Sequence, residues 1–562
     1  RPASRRMFLF RMPKIVYPKK YIFVVGGVMS SVGKGIASAS IGTLLQARGY
    51  RTSNIKCDMY VNIDAGTMRP TEHGEVFVGE DGIEADQDLG NYERFTNQVS
   101  LREHYITTGQ VYQEVIRRER NLEYHGEDVE VVPDIPNEII RRIQLAARRD
   151  RSEIAIVEIG GTVGEYQNIL FLEAGRMLKV KHPDDVIFVL VSYLPIPSKV
   201  GEMKTKPTQH ASRTLNAAGI QADFILCRAA QPLDQPRRNR LSLLCNMPEG
   251  HSISAVDADS IYEVPVMLEK EALGDKIVRQ LKLRYRKSNM REWKIFVRRI
   301  RSSQKPVNIA VVGKYFGTGE FVLADSYISV IEAIKHACWY SKRKPVLTWI
   351  DAEKYEKDPR GVRELSQFDG VLVPGGFGAR GVEGIMEAIR FTREKRIPYF
   401  GLCYGMQLAT VEFARHEAKL RGAHTTEVDP KTPHPVISTN AFQTKNIVEK
   451  NFGGSMRLGS YPCVLEGSSK SMRAYKARKI LERHRHRYEF NNQYRDQLEK
   501  AGMKFPGICP TNHLVEIIEL KDHPWFVATQ FHPEFKSRPM DPHPLFREFI
   551  RAAIQHQKKG MR

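Results

Sequence analysis

Eight short runs of almost uninterrupted apolar residues constrain this chain more than any other feature. YIFVVGG (21–27), EIAIVEIG (153–160), DVIFVLV (185–191) and ADFILCR (222–228) lie in the first half; VNIAVVGKY (307–315), PVLTWIDA (345–352), FDGVLVPGG (368–376) and IPYFGLCYG (397–405) lie in the second. A strand with one wet face alternates apolar and polar residues, whereas EIAIVEIG, DVIFVLV and ADFILCR have the near-continuous Val/Ile/Leu character of strands covered on both faces of a parallel sheet. Helical patterns separate them in the first half, and the second half restarts the same rhythm. The expected fold class is therefore α/β with two doubly wound domains. At roughly 150 residues per domain, a chain of 562 residues has room for two to four such units.

A strongly basic stretch at 284–306, RYRKSNMREWKIFVRRIRSSQKP, breaks the rhythm and ends in Pro306. We divide the chain into an N-terminal extension at 1–19, a first domain at 20–285, an interdomain helix and linker at 286–306, and a second domain at 307–556. The extension includes Met7 and Met12, either of which can be a translation start. Its apolar stretch, Met7 to Phe10, is too short for a secretory signal. The longest aliphatic or aromatic runs fall far short of the roughly 20 residues that span a bilayer, so no membrane partner is expected. Seven scattered cysteines without a CxxC pair read as free thiols in a reducing cytoplasm. A net charge of +21 points to an anionic substrate or partner. The cations are interspersed with acids and accompany no zinc-finger spacing or aromatic stripe, which argues against nucleic acid as the main partner.

In GGVMSSVGKG (Gly26 to Gly35), glycines allow tight turns, the following helix directs its first amides outward, and Lys34 supplies a mobile charge. The turn reads as a phosphate cradle. Gly35 replaces the Ser/Thr that usually follows the lysine, so a magnesium ion needs carboxylates from elsewhere, and Asp88 and Glu158 are the candidates. GEMKTKPTQH (201–210) carries Lys204, Lys206 and Gln209 and suits a second polyphosphate. In the second half, Gly401-Leu402-Cys403-Tyr404-Gly405 joins a strand to a helix, the setting in which a nucleophile is held on a strained elbow. QFHPEF (530–535) offers His532 as general base and Glu534 to orient it. PGGFG (374–378), with the Tyr404 amide, can supply N–H groups to an oxyanion.

YIFVVGGVMSSVGKGIASAS, HGEVFVGEDG, VEIGGTVGE, KTKPTQH, VPGGFGARGVEG, GLCYGMQ, RHRHRYE and QFHPEF occur in this order, and the chain so composed resembles the CTP synthase family from about 20 to 555. The resemblance implies an N-terminal dethiobiotin-synthetase-like P-loop domain and a C-terminal class I glutamine amidotransferase domain. It further implies ATP-dependent amination of UTP to CTP, through a 4-phosphorylated UTP, with ammonia from glutamine hydrolysis. ATP would contact Ser30, Ser31, Gly33, Lys34, Gly35, Lys56 and Asp88, with Mg2+ on Asp88 and Glu158. UTP, or CTP as inhibitor, would contact Ser30, Lys204, Lys206, Gln209, Arg240 and Glu165. Glutamine would lie along Gly375, Gly376, Phe377, Gln407, Glu427 and Arg487, beside a Cys403, His532 and Glu534 triad. GTP as activator and a homotetramer able to form filaments, in the cytoplasm, complete the implication. The chain departs from the family pattern at Arg240, Met59, Glu165, Gln167 and Ala379, and in a longer 317–325 loop. A nucleotide-switched binding protein, with the second domain a scaffold, is the reading of a different class, and the complete triad set argues against it.

Overall fold

The computed structural model describes residues 18–199, 201–314, 317–318, 321–322, 324–439, 441–449 and 452–560. Most of the expected extension, residues 1–17, and parts of the 317–325 loop lie outside the described residues. Two compact units form. The first holds the described residues up to Val61 together with Ile106–Asn289, and the second holds Asn62–Tyr105 together with the described residues from Met290 onward.

Seven strands make the sheet of the first unit: β1 (Lys20–Gly27), β2 (Thr52–Asp58), β3 (Tyr105–Thr107), β4 (Ile154–Ile159), β5 (Val186–Tyr193), β6 (Phe224–Ala229) and β7 (Ser252–Val256), in the order β3-β2-β4-β1-β5-β6-β7. Every pairing from β2 to β7 is parallel. The uninterrupted apolar character of β1 is explained by its central place, where Tyr21 to Val25 are all buried. Phe23 stacks on Phe188 of β5 with ring centroids 5.2 Å apart. β1 is also where the chain changes direction across the sheet, with β4 on one side and β5 on the other. Such a switch point leaves a crevice beyond the strand carboxyl ends, the usual ligand position in open α/β sheets.

The main sheet of the second unit has nine strands: β8 (Pro306–Gly313), β9 (Lys344–Asp351), β10 (Gly370–Val373), β11 (Tyr399–Leu402), β12 (Arg457–Leu465), β13 (Lys479–His486), β14 (Met503–Ile508), β15 (Val515–Leu520) and β16 (Phe526–Thr529), ordered β9-β8-β10-β11-β16-β15-β14-β12-β13. The first five are parallel and the rest antiparallel. Val371 and Val373 face one core with Met406 and Phe526, while the intervening Leu372 faces another with Ile309 and Phe549. Helices thus cover both faces of the parallel part, as the apolar runs require. A helix forms at Arg291–Ser302, within the second unit, and buries Trp293, Phe296 and Val297. Trp293 meets Phe95 at 5.5 Å, a contact that helps place the 62–105 segment in this unit although chain order puts it with the first domain. Among the described residues no helix is long and apolar enough to cross a membrane.

Candidate active sites

The first site is the turn between β1 and the helix Lys34–Gln46. Its backbone takes left-handed angles at Val28 (φ 80°), Ser31 (φ 56°) and Gly33 (φ 90°). Left-handed geometry disfavours a β-branched residue such as Val28, and strain of this kind persists where the surroundings enforce it. Gly33 is the N-cap residue and provides no side-chain cap, so the first helix amides remain for an anion. Lys34 folds back over the turn: its Nζ donates to the Gly161 carbonyl at 2.7 Å. A side chain at Gly26 would have its Cβ 2.9 Å from the Lys34 Nζ, which explains the glycine there. Ser30 and Ser31 are exposed, whereas Lys34 and Gly35 are buried.

Register brings two more expected residues together. Lys56 of β2 lies opposite Glu158 of β4, and the Lys56 Nζ donates to the Glu158 Oε1 at 3.1 Å with both side chains buried. Glu158 is one residue short of the end of β4, just before the Gly160-Gly161 turn that receives Lys34. Glu165 accepts from the Thr162 amide and hydroxyl, each at 2.7 Å, and so closes that second glycine turn. A cavity beside Gly33 is lined mainly by apolar side chains, among them Ile36, Val191, Val256, Ile261 and Leu268, and a planar heterocycle suits such walls. Lys204 pairs with Glu202 at 2.6 Å, Gln209 donates to Thr205 at 3.0 Å, and Lys206 and Arg240 are exposed. Asp88 lies in the 62–105 segment and so in the other unit, at the start of the helix Asp88–Thr96. Asp88 and Glu158 are both carboxylates, the donor chemistry that magnesium takes, so the residue types fit the ion.

The second site is built on the elbow between β11 and the helix Tyr404–His416. Cys403 sits there at φ 48°, ψ −97°, with its amide donating to the Thr529 carbonyl at 2.6 Å. Only glycines fit on either side. A Cβ at Gly405 would lie 2.4 Å from the Val373 carbonyl oxygen, and one at Gly401 would lie 2.7 Å from the Tyr399 hydroxyl. β16 pairs with β11 and delivers His532 to the same place. The His532 Nδ1 is 2.7 Å from the Glu534 Oε1, which fixes the ring through one nitrogen. A Cβ at Gly375 would be 2.9 Å from the His532 Cε1 and 3.9 Å from the Cys403 Cβ, so imidazole, thiol and the PGGFG turn converge on one point. Phe535 stacks beneath the imidazole at 5.3 Å.

Burial is the largest influence on His532 and opposes its charged form. The Glu534 carboxylate and the Cys403 sulfur outweigh it, and the imidazole pKa is pushed up to about 10. An imidazolium therefore stands beside the Cys403 sulfur at neutral pH. By contrast, burial raises the thiols of Cys57, Cys227, Cys338 and Cys463 far above the ordinary range, which keeps them protonated and inert.

Cys403 opens on a cavity of about 600 Å³ whose walls include Gly376, Phe377, Gln407, Glu427 and Arg487. Five of the six residues expected to hold glutamine thus share one chamber with the sulfur. Gly375 lines a smaller adjoining cavity of about 100 Å³ with Cys403, His532 and Glu534. Glu427 accepts from the Gly378 amide at 2.7 Å and so ties the PGGFG turn in place, and burial raises its pKa. Arg487 is committed to Gln443, Ser455 and the Phe452 carbonyl at 2.7–3.1 Å.

Sequence reasoning missed three contributors. Lys314, at the end of β8, is buried and donates to the Gly378 carbonyl at 2.5 Å, alongside the Tyr404 hydroxyl at 2.7 Å. Burial lowers its pKa to about 8 against the opposing pull of Glu427. Gln530 directs its Nε2 at the Cys403 sulfur from 3.7 Å, and Arg485 lines both cavities while bonding Glu84 of the 62–105 segment at 2.8 Å. The strand-ending GK of GKY and the glutamine opening QFHPEF were the available signals for Lys314 and Gln530.

Residues 20–283 match the family described as CTP synthase N-terminus, and residues 322–552 match glutamine amidotransferase class-I. A CTP synthase of Caldanaerobacter subterraneus subsp. tengcongensis is 49% identical over 537 residues, 95% of this chain and 98% of that protein. A CTP synthase of Thermococcus gammatolerans is 50% identical over 543 residues, 96% of this chain and all of that protein. Among solved structures, the glutaminase domain of Trypanosoma brucei CTPS with bound acivicin is 34% identical, covers 44% of this chain and 94% of that one, and has a TM-score of 0.41.

Proposed function

The chain belongs to the CTP synthase family, glutamine-hydrolysing ligases that make CTP from UTP, and from that premise we propose how its residues divide the work. The observation that carries the proposal is the convergence of Cys403, His532 and Glu534 on a strained elbow in a chain that also holds the Lys34 phosphate turn. In the second unit, the Cys403 sulfur attacks the side-chain amide carbon of glutamine. The N–H groups of the Gly375–Phe377 turn and of Tyr404 donate to the oxyanion. His532, held as imidazolium, hands its proton to the departing nitrogen, so ammonia leaves as a neutral nucleophile and a thioester remains. Water, deprotonated by His532, then releases glutamate. Gln407, Glu427 and Arg487 shape the chamber that admits the amino acid.

In the first unit, Ser30, Ser31, Gly33, Lys34, Gly35 and Lys56 hold ATP phosphates, and the apolar cavity beside Gly33 receives the base. Asp88 and Glu158 would hold magnesium, which when bound neutralises phosphate charge. Glu165, Lys204, Lys206, Gln209, Arg240 and Ser30 hold UTP. Phosphorylation of the uracil 4-oxygen makes a leaving group that ammonia displaces. By the same family resemblance we assign GTP as activator, CTP as inhibitor, a homotetramer and a cytoplasmic setting. The test is donor substitution. Cys403→Ala makes no CTP from glutamine but keeps making it from ammonium salt, whereas Lys34→Ala makes none from either. A cysteine variant equally dead with ammonium would refute the division of labour.

A further inference from the structure

The cations that look dispersed along the sequence are gathered by the second unit into one trough. The helix Pro544–Gly560 places Arg547, Arg551 and Lys558 along one face, because steps of four and seven residues nearly complete whole helical turns. Together they span about 16 Å of helix axis. Lys476, the C-cap residue of the helix Lys470–Tyr475, joins them to line a cavity of about 580 Å³. Glu548 is the one acidic side chain lining it. A second cavity of about 170 Å³ shares Glu548, Arg551 and Gln555 and continues the trough. Two of the four cations have long ion pairs and two have no carboxylate partner among the described residues. Arg547 and Arg551 donate to Asp541 and Glu548 at 3.5 Å, the long end of hydrogen-bond range, with the Arg551 side chain 68% exposed; Lys476 and Lys558 are the pair without a carboxylate. In the same cavity, Tyr340 is 49% exposed, and the Arg547 guanidinium lies 5.4 Å from its ring centroid.

A long trough with repeated cations and one open aromatic ring matches an extended phosphate chain that carries planar groups. We propose that this trough binds single-stranded nucleic acid, with phosphates along Arg547, Arg551, Lys558 and Lys476 and one base stacked on Tyr340. This binding is independent of CTP formation, since none of these residues lines either candidate active site.

The test uses the full chain, saturated with UTP and a non-hydrolysable ATP analogue so that the nucleotide sites are filled. Anisotropy of a fluorescent twelve-nucleotide deoxythymidine oligomer is followed across salt concentrations. Four phosphate contacts on a single strand give a log–log salt slope of about −3. Arg547→Ala with Arg551→Ala flattens it to about −1.4, and the double charge reversal to Glu weakens binding at least tenfold while leaving CTP formation from ammonium unchanged. Tyr340→Ala, which removes a stacking platform, weakens binding at least fivefold. Arg120→Glu, a reversal at an exposed arginine of the other unit, binds as the wild type. The proposal is overturned if the Arg547/Arg551 reversal binds like the wild type, or if Arg120→Glu loses as much. It is also overturned if Tyr340→Ala has no effect and inorganic polyphosphate of equal charge competes as well as the oligonucleotide, since the trough would then read charge alone.

Discussion

Gly375→Ala isolates the geometry of the glutaminase centre. The glycine is not in the left-handed region, so alanine meets no backbone strain there, and the amide proposed to serve the oxyanion is retained. Only the new methyl matters. It would stand 2.9 Å from the His532 Cε1, well inside the 3.5–4.0 Å of an ordinary carbon–carbon contact. The imidazole is stacked on Phe535 and tied to Glu534, so it relieves the overlap only by moving roughly half an ångström or more from the sulfur. A misplacement of about 1 Å costs about a hundredfold in rate, and we expect a ten- to hundredfold loss of glutamine-dependent CTP formation. Ammonium-dependent synthesis should stay near the wild-type rate, because ammonium bypasses Cys403. Gly376→Ala is the comparison: its Cβ would meet Tyr404 at an ordinary 3.5 Å, and the loss should be clearly smaller. The assay is the absorbance change as uracil becomes cytosine, run with each donor in parallel. Wild-type activity of Gly375→Ala with glutamine, or an equal loss with both donors, would show that His532 does not act where its ring lies.

Glu534→Gln removes the carboxylate that helps hold the His532 pKa up, so the alkaline limb of the glutaminase pH profile should move toward neutrality while the ammonium-dependent profile does not. The sign extends to stability. A folded pKa of about 10 exceeds the ordinary 6.5, so the imidazolium stabilises the fold fully below pH 6.5 and loses that contribution as pH rises through 10; chemical denaturation of wild type and Glu534→Gln across this range should converge at the alkaline end. Arg483→Met leaves the carboxylate of Glu93, itself fully buried, with the guanidinium of Arg538 as its remaining cation, and should destabilise the second unit by about 3 kcal/mol in denaturant titrations. Because the Arg483 carbonyl also accepts the His532 amide at 2.8 Å, the same variant should lose glutaminase activity before it loses ammonium-dependent synthesis on mild heating.

The α/β class and both glycine turns were legible in the sequence, and so was Cys403 as the candidate nucleophile, because the patterns that mark them are local. Uninterrupted apolar runs demand two covered faces, and glycines at 401 and 405 answer contacts that the elbow makes with its own strand and an adjacent one. What lay beyond the sequence depends on which strands become neighbours. Pairing of β11 with β16 sets His532 beside Cys403, and pairing of β2 with β4 sets Lys56 against Glu158. Lys314 and Gln530 stand in visible motifs, GKY and QFHPEF, but they act through a carbonyl and a sulfur that lie far along the chain, so the motifs do not disclose the contacts. The packing of 62–105 within the second unit rests on Arg483, Arg485 and Trp293, residues far along the chain from the acids and rings they meet. The basic trough has the same origin: charge is written residue by residue, but an electrostatic surface exists only after helices from separate stretches have been packed side by side.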